Sequence, residues 1–161
     1  MKRFIFLDID GVISGDEEWE YFLSDNSCGF NRESLICLEY VIDNFPEIKI
    51  IISSTWRKGQ TVEQLKQLFQ LRNFKYWDNI EGRTGVLCFE KNPDGYMTVP
   101  RGCEIEMWLR SNTESPTDQY KYAIIDDGSD MMYYQKDSFV HIYYTELFNM
   151  KYAQKVIEIL K

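Results

Sequence analysis

Three apolar runs of the sequence are each followed by side chains that can do chemistry. The residues that follow these runs are, in chain order, Asp8, Asp10 and Gly11, then Ser53, Ser54, Thr55 and Arg57, and finally Asp126, Asp127 and Asp130. In open α/β sheets ligands bind beyond the carboxyl ends of the strands, so residues that follow parallel strands meet at one edge. The sequence therefore predicts one site built from all three groups.

Two kinds of side chain in these groups suit two kinds of ligand. Clustered carboxylates repel one another unless a cation lies among them, and ligand sets that offer only oxygen favour Mg²⁺ or Ca²⁺. The hydroxyls suit an anion. Arg57 suits an anion too, through its guanidinium fork, but it has the alternative of pairing with an Asp or Glu. A hard cation beside an anion site is the arrangement of phosphoryl-transfer chemistry.

Such a site needs strands and helices in alternation, and the hydrophobic pattern predicts them. Continuous apolar runs are typical of strands buried on both faces, and apolar residues at helical spacing are typical of helices. The predicted strands cover residues 3–9, 48–52, 122–125 and 139–142, and the predicted helices cover 31–45, 61–71, 102–111 and 150–160. Asn31 predicts a helix cap, and Thr61 with Gln64 predicts a capping box. The alternation indicates an α/β fold with a doubly wound parallel sheet, in a single domain over residues 1–161.

Composition and charge limit the class of protein further. The chain is 44% hydrophobic with a net charge of −8, which is typical of a folded globular protein and unfavourable for non-specific binding to nucleic acid. Its apolar start ends at Asp8, too early for a signal peptide, and no later stretch is long enough to span a bilayer. Four cysteines without CxxC spacing and a single histidine argue against a zinc site. We therefore expect a cytoplasmic protein with no membrane partner.

The residues at these strand ends resemble motifs of the haloacid dehalogenase (HAD) superfamily. Residues 6–12, with the order Asp-Ile-Asp-Gly at 8–11, resemble motif I; residues 50–53 resemble motif II; and residues 124–127 resemble motif IV in its double-aspartate form. Residues 53–57 and 101–105 are similar to one branch, the HAD domains of Swiss Army Knife RNA-repair proteins. The resemblance covers residues 2–160. It implies a Rossmann-like three-layer sandwich with a mainly parallel sheet.

The resemblance also implies roles for the acidic residues. Asp8 would be the nucleophile that takes the phosphoryl group, which divides one hard displacement into two easier ones. Asp10 would be the general acid for the leaving group and then the general base for water. Mg²⁺ would be held by the Asp8 side chain, the Asp10 main-chain carbonyl and Asp127, with support from Asp126. For both carboxylates to face the phosphate beyond the strand end, we expect the chain to curl after Asp8, and Gly11 is placed to allow it.

Other residues are assigned to the phosphate or substrate. The resemblance implies that Ser53 hydrogen-bonds the phosphoryl oxygens, although the sequence leaves open whether Ser53 or Ser54 is the ligand; Ser54, Arg57 and Gly11 complete the predicted substrate-binding set. At motif III the superfamily usually has Lys, and here we assign Arg101, at the start of a helix that leads into the strand at 122–125. Lys91 is the reserve. Lys121 is rejected because it begins that strand, roughly 16 Å from the edge that carries Asp126.

Other polar and aromatic residues have simpler interpretations. Asp130 is interpreted as a cap or surface residue, and His141 as a structural histidine. The aromatic group Trp19, Tyr21, Phe22 and Phe30 is interpreted as local packing, with a base-stacking platform as the alternative.

The inserts at about 14–30 and 73–100 are too short for full cap domains, so we expect a minimal cap or none and an open site that tolerates a large substrate. The sequence therefore predicts a Mg²⁺-dependent phosphomonoester hydrolase that forms an aspartyl-phosphate. Its partner would be a phosphorylated small molecule or a nucleic-acid end. Two alternatives stay open: a non-catalytic phosphate- or nucleic-acid-binding module, and a metal-dependent nuclease of the PIN type. The oligomeric state is left unassigned.

Overall fold

The computed structural model describes residues 1–15, 29–92, 95–113, 119–143 and 145–161, and for 89–92 and 95–97 it describes the backbone alone. The described strands are β1 (Lys2–Leu7), β2 (Lys49–Ile52), β3 (Ile80–Arg83), β4 (Cys88–Asn92), β5 (Gly95–Thr98), β6 (Tyr120–Asp126) and β7 (Phe139–His141). The described helices are α1 (Arg32–Asn44), α2 (Val62–Gln70), α3 (Arg101–Asn112) and α4 (Met150–Leu160), with short 3-10 turns at Thr55–Arg57, Trp77–Asn79 and Tyr133–Ser138.

Five strands form one parallel sheet in the order β3-β2-β1-β6-β7. Strand β1, at the centre, is buried because its run of apolar residues packs on both faces. The antiparallel pair β4–β5 forms a separate small hairpin between β3 and α3. The predicted α/β fold with a mainly parallel sheet is therefore confirmed, whereas the single domain over residues 1–161 stays a prediction.

Each face of the sheet carries its own hydrophobic cluster. Alternate residues of the central strands, such as Ile5 and Leu7, pack with residues from α1, α2 and α4 in the larger cluster. Phe4 and Phe6 point to the other face, where α3 supplies Ile105 and Leu109. The ring of Trp108, also from α3, lies edge-on to both phenylalanines, with centroids 5.2 and 5.4 Å away. The two faces make this a three-layer sandwich, as predicted.

The strands are in register up to the edge that carries the polar residues. Leu7 of β1 lies opposite Ile52 of β2 and Ile125 of β6, and the ladder continues by one residue through hydrogen bonds from Asp8 N to Ile125 O and from Ser53 N to Leu7 O, both 3.0 Å. Side chains alternate along a strand, so Asp8 follows Phe6 onto the face covered by α3. The register thus gathers the strand-end residues on that face.

Local sequence signals place the helix starts well. Asn31 caps α1 by accepting a hydrogen bond from Ser34 N, and Thr61 and Gln64 form the predicted capping box of α2.

The prediction of a strand through Ile9 was wrong. Strand β1 ends at Leu7 because the chain turns, and the N–H groups of Val12, Ile13 and Ser14 all donate to Ile9 O. No helix in the described part of the chain is both long and apolar enough to cross a bilayer.

Candidate active site

The turn after β1 brings the first acidic motif into shape. Gly11 has φ +70°, a value that L side chains rarely adopt, and a Cβ there would lie 2.6 Å from the carboxyl carbon of Asp127. The predicted curl after Asp8 is therefore confirmed, and Gly11 also clears space for Asp127. Its N–H donates to Ser14 O at 2.8 Å, so this donor is taken. Gly11 thus lets two acidic loops meet, and its assignment to substrate binding stays a prediction.

Three carboxylates converge at this point. One oxygen from each of Asp8, Asp126 and Asp127 lies within 4.8 Å of the others, close enough to share a cation. The pKa of Asp126 is raised to about 7, mainly because the carboxyl is buried and secondly because of the neighbouring charge of Asp8. Burial and Asp8 also raise the pKa of Asp127. Oxygen-only carboxylates that repel one another fit a hard divalent cation such as Mg²⁺.

Arg101 lies against the same carboxylates. Its Nη1 donates to Asp8 Oδ1 at 2.8 Å and lies 3.2 Å from Asp126 Oδ2. Burial acts to lower the pKa of Arg101, but the charges of Asp8 and Asp126 outweigh it and raise that pKa. The structure thus brings Arg101 to the predicted nucleophile. Lys121 is the second residue of β6 and lies opposite Arg3 at the other end of the sheet, and the side chain of Lys91 lies outside the described residues.

The start of α3 is held by the segment after β6. Pro100, the N-cap residue, offers no side-chain hydrogen bond. Instead Asp130 accepts the first two helix donors, from Arg101 N to Oδ2 at 2.8 Å and from Gly102 N to the carbonyl at 3.2 Å. A Cβ on Gly102 would lie 2.5 Å from Met132 N, so only glycine allows this approach. Asp130 is thus a cap, as predicted, and it fixes the helix that carries Arg101.

The two serines after β2 differ in what they bind. Both are fully buried. Ser54 Oγ accepts a hydrogen bond from Trp56 N at 3.4 Å, as the cap of a 3-10 turn. Ser53 Oγ has no hydrogen-bond partner among the residues that the structure describes. Because an unmet buried hydroxyl costs about 1–3 kcal/mol, Ser53 is the better candidate for a ligand contact.

Thr84 was missed by the sequence analysis. It follows β3 and donates its N–H to Ile52 O at 3.0 Å, which places it beside Ser53 in the same row as Asp8. Its hydroxyl is also buried and has no partner within the described ranges. The sequence signal was weak: Ile80 and Gly82 alternate with the charged Glu81 and Arg83, but the strand has four residues and lies in a stretch without clear periodicity.

The guanidinium of Arg57 is bound by protein acceptors, which argues against its assignment to substrate binding. Its side chain is 3% exposed and forms an ion pair with Glu104 of α3. Its other bonds go to the carbonyls of Ser53, Ser54, Thr84 and Gly85. A guanidinium has five N–H donors, and these five bonds use all of them. The alternative, pairing with a carboxylate, is confirmed, and no local pattern indicated the partner because Glu104 is distant in sequence.

Trp56 holds the second acid of motif I. Its indole Nε1 donates to Asp10 Oδ1 at 2.8 Å, and its ring lies 5.6 Å from that of Phe30. Burial is the largest influence on Asp10 and raises its pKa, with Trp56 opposing and Asp8 reinforcing the shift. Phe30 also packs on Phe69, as local packing predicts; the other members of the aromatic group, Trp19, Tyr21 and Phe22, lie outside the described residues.

His141 has a structural contact at the edge of the site. Its Nε2 donates to the carbonyl of Asp127 at 2.9 Å. The ring lies between those of Phe139 and Tyr143, at 5.8 and 5.1 Å. The histidine therefore supports the loop that carries Asp127, which agrees with its interpretation as a structural residue.

Comparisons with known proteins agree with this geometry. The sequence model of the family described as the HAD domain in Swiss Army Knife RNA repair proteins matches residues 4–151. The structure of the HAD domain of effector protein Lem4 from Legionella pneumophila superposes with a TM-score of 0.59 at 18% identity, covering 99% of this chain and 96% of that one. An inactive mutant of that domain superposes with the same TM-score and identity, covering 100% and 95%. A comparison with curated proteins gives no match.

The similarity to Lem4 supports the fold alone, because the identity is low. The family match covers most of the chain and includes all three strand-end motifs. Fold, motifs and family match agree, and the chain therefore belongs to the family of HAD domains found in Swiss Army Knife RNA repair proteins.

Proposed function

We propose that the protein is a Mg²⁺-dependent phosphomonoester hydrolase that forms an aspartyl-phosphate on Asp8. The observation that carries this proposal is the position of Asp8, which contacts the guanidinium of Arg101 and lies beside the carboxylates of Asp126 and Asp127. A nucleophilic carboxylate needs charge partners for the phosphoryl oxygens that approach it. Arg101 supplies one, and the acidic cluster suits a metal that supplies the other.

The chemistry follows in two steps. A carboxylate oxygen of Asp8 attacks phosphorus, the bond to the ester oxygen breaks, and Asp10 gives that oxygen a proton. Water then attacks the phosphorus of the acyl phosphate, Asp10 takes a proton from it, and the bond to Asp8 breaks to release inorganic phosphate. Asp10 suits the first role because burial raises its pKa and favours the protonated acid.

Other side chains hold the reacting group. Ser53 Oγ, which is unpartnered among the described residues, would donate to a phosphoryl oxygen. Arg101 would shift part of its contact from Asp8 to the phosphoryl group. Mg²⁺, held by Asp8, Asp127 and the Asp10 carbonyl with Asp126 in support, would neutralise part of the developing charge.

The substrate belongs to the phosphomonoesters, either a phosphorylated small molecule or the terminal phosphate of a nucleic acid. The description of the family, which names RNA repair, supports the second group. The net charge of −8 weighs against broad contact with a nucleic-acid backbone, and hence favours recognition of the end alone.

A non-catalytic phosphate-binding module is the alternative function, and the arginine at motif III is the observation that favours it. Arginine cannot be deprotonated and its planar fork differs from an ammonium group, so an Arg-for-Lys exchange is not neutral. The contact of Arg101 with Asp8 nevertheless gives it the place that a charge partner needs. A PIN-type nuclease loses its support because the chain belongs to a different family.

The test is phosphate release from an aryl phosphate and from a terminally phosphorylated oligonucleotide, with Mg²⁺ and with EDTA. Wild type should release phosphate only with Mg²⁺, and Asp8→Asn should release none while keeping its fold. Asp137→Asn, at an exposed residue before β7, is the matched control and should behave as wild type. Turnover by Asp8→Asn would remove Asp8 from its role, and no release by wild type from either compound would favour the binding module.

A further inference from the structure

A cleft of about 100 Å³ adjoins the acidic site beside Arg101. One wall comes from the 3-10 turn Thr55–Arg57 and Lys58. A second comes from Val86 and Val99, on either side of the β4–β5 hairpin, and a third from the first turn of α3. Arg101 lines this cleft and also contacts Asp8. Arg101 thus separates the cleft from Asp8 by a single side chain, so the cleft is placed to receive a second group of a molecule whose phosphate lies at Asp8.

Among the described side chains that line the cleft, one cation has no acidic partner. Arg57 is committed to Glu104, and Arg101 to Asp8 and Asp126. The two acids on the wall are also engaged, Glu104 by Arg57 and Asp130 by the N–H of Arg101. Lys58 is exposed, and no hydrogen bond or ion pair of its side chain occurs among the residues that the structure describes. A ligand in the cleft thus meets an ammonium group that is free of a protein acid in the described chain.

The backbone at Lys58 is held in place before any ligand arrives. Its N–H donates to Thr55 O at 3.0 Å. The preceding residue, Arg57, is anchored below the surface by five hydrogen bonds. The following residue, Gly59, turns the chain away with φ +74°. A fixed backbone reduces the entropy lost on binding, so a single cation here can contribute measurably to affinity.

The geometry points to a subsite for a second anionic group of the substrate, with Lys58 as its cationic contact. The inference rests on the proposed function, because the first phosphate is placed at Asp8. It narrows the substrate class to phosphomonoesters that carry a second phosphate close to the scissile one. Lys58 would then determine specificity without touching the reacting atoms.

The test measures binding by calorimetry with Mg²⁺ present, so that it does not depend on turnover. The probes are methylphosphonate and a series of bisphosphonates whose two groups are separated by alkyl chains of increasing length. For at least one length, Lys58→Met should bind about three- to tenfold more weakly than wild type, the scale of one exposed charge-assisted contact. Methylphosphonate should bind both proteins equally, and the difference should shrink in high salt.

Lys121→Met is the matched control, since Lys121 lies near the start of β6 at the opposite end of the sheet, and it should bind every probe as wild type does. Equal affinity of Lys58→Met and wild type for every bisphosphonate would overturn the inference, as would an equal loss for methylphosphonate. No binding of any bisphosphonate by wild type would overturn it as well. A failure of the proposed function is seen separately, as phosphate release that does not need Asp8.

Two natural sources of a second phosphate can be separated in the Asp8→Asn background, where turnover is prevented. A nucleoside bisphosphate offers a second monoester, and a terminally phosphorylated dinucleotide offers a diester. Weaker binding on Lys58→Met for the nucleoside bisphosphate alone identifies a small bisphosphorylated substrate. Weaker binding for the dinucleotide identifies a nucleic-acid end. No change for either compound counts against Lys58 as a contact.

Discussion

Arg57, from the loop after β2, and Glu104, from the first turn of α3, form an ion pair in which both side chains are almost wholly buried. The second oxygen of Glu104 accepts from Leu87 N at 2.9 Å. Burial lowers the pKa of Arg57, and the charge of Glu104 opposes that shift. The pair joins the Ser53 loop, the segment before β4 and the helix of Arg101 at one point.

Glu104→Ala should destabilise the protein by about 3–5 kcal/mol, because it leaves the buried Arg57 charge unpaired. The double variant Arg57→Met, Glu104→Leu should be more stable than Glu104→Ala, since it removes both charges and keeps much of the volume. Urea unfolding followed by circular dichroism measures both. As a comparison, Glu106→Ala removes a salt bridge to Arg110 whose arginine side chain is 72% exposed, and it should change stability little.

Gly11→Ala should abolish phosphatase activity and weaken the stabilisation by Mg²⁺, because a Cβ there collides with Asp127. Gly59→Ala is the matched control: its φ of +74° is as strained, but nothing lies within 4 Å of the added Cβ. Both variants should lose about 1 kcal/mol from backbone strain. Thermal unfolding with and without Mg²⁺ separates them, and an equal response to Mg²⁺ in the two variants would contradict the role given to Gly11.

Arg101→Ala should slow phosphate release by roughly 10²-fold or more, the scale for loss of one preorganised charge partner. Arg101→Lys should retain more activity than Arg101→Ala, because it keeps the charge near Asp8 and loses the planar fork. Steady-state rates with saturating Mg²⁺ measure both. An unchanged rate in Arg101→Ala would transfer the motif III role to another residue. Lys121→Ala, at the far end of β6, is the control.

Without Mg²⁺, stability should fall as pH rises from about 4 to about 7. The folded pKa of Asp126 is about 7 against 3.8 in a model carboxyl, so in this interval the folded state binds more protons than the unfolded state. The stability that Asp126 contributes is fully present below its unfolded pKa and is lost as pH rises through its folded pKa, and this group alone gives a slope of at most about 1.4 kcal/mol per pH unit.

Urea unfolding in EDTA across that interval measures the slope. Asp126→Asn should make the slope shallower, because Asp126 no longer titrates, while Asp10 and Asp127, whose pKa values are also raised, still do. Asp137→Asn should keep the slope of the wild type, since Asp137 is exposed and lies before β7. The same slope in Asp126→Asn and wild type would assign the effect to another group.

Strand ends were the most predictable part of the site. Asp8, Ser53 and Asp126 each follow an apolar run. The parallel register of β1, β2 and β6 brings such residues together independently of the loop conformations. Loop contacts were less predictable. Residue type indicated a charge at Arg57 but not that distant carbonyls and Glu104 would use all of its donors.

Two further contacts join residues that are far apart in the sequence, so no local sequence pattern indicates them. Trp56 reaches Asp10 across 46 positions, and Asp130 caps α3 from 29 positions away. Thr84 was missed for another reason: short β3 lies in a stretch rich in glycine and proline, where hydrophobic periodicity is weak. Which distant residue a side chain contacts depends on the assembled fold, and local sequence patterns do not contain that information.

The placement of α3 on its face of the sheet has a consequence for dynamics. The same helix supplies Ile105 and Leu109 to the smaller hydrophobic cluster and carries Arg101 at its first position. Any opening that lifts α3 exposes Phe4 and Phe6 to water and withdraws the guanidinium from Asp8 in one motion. Amide hydrogens of α3 should therefore exchange as a group with those of the strands beneath it, which keeps partly opened molecules from retaining a working site.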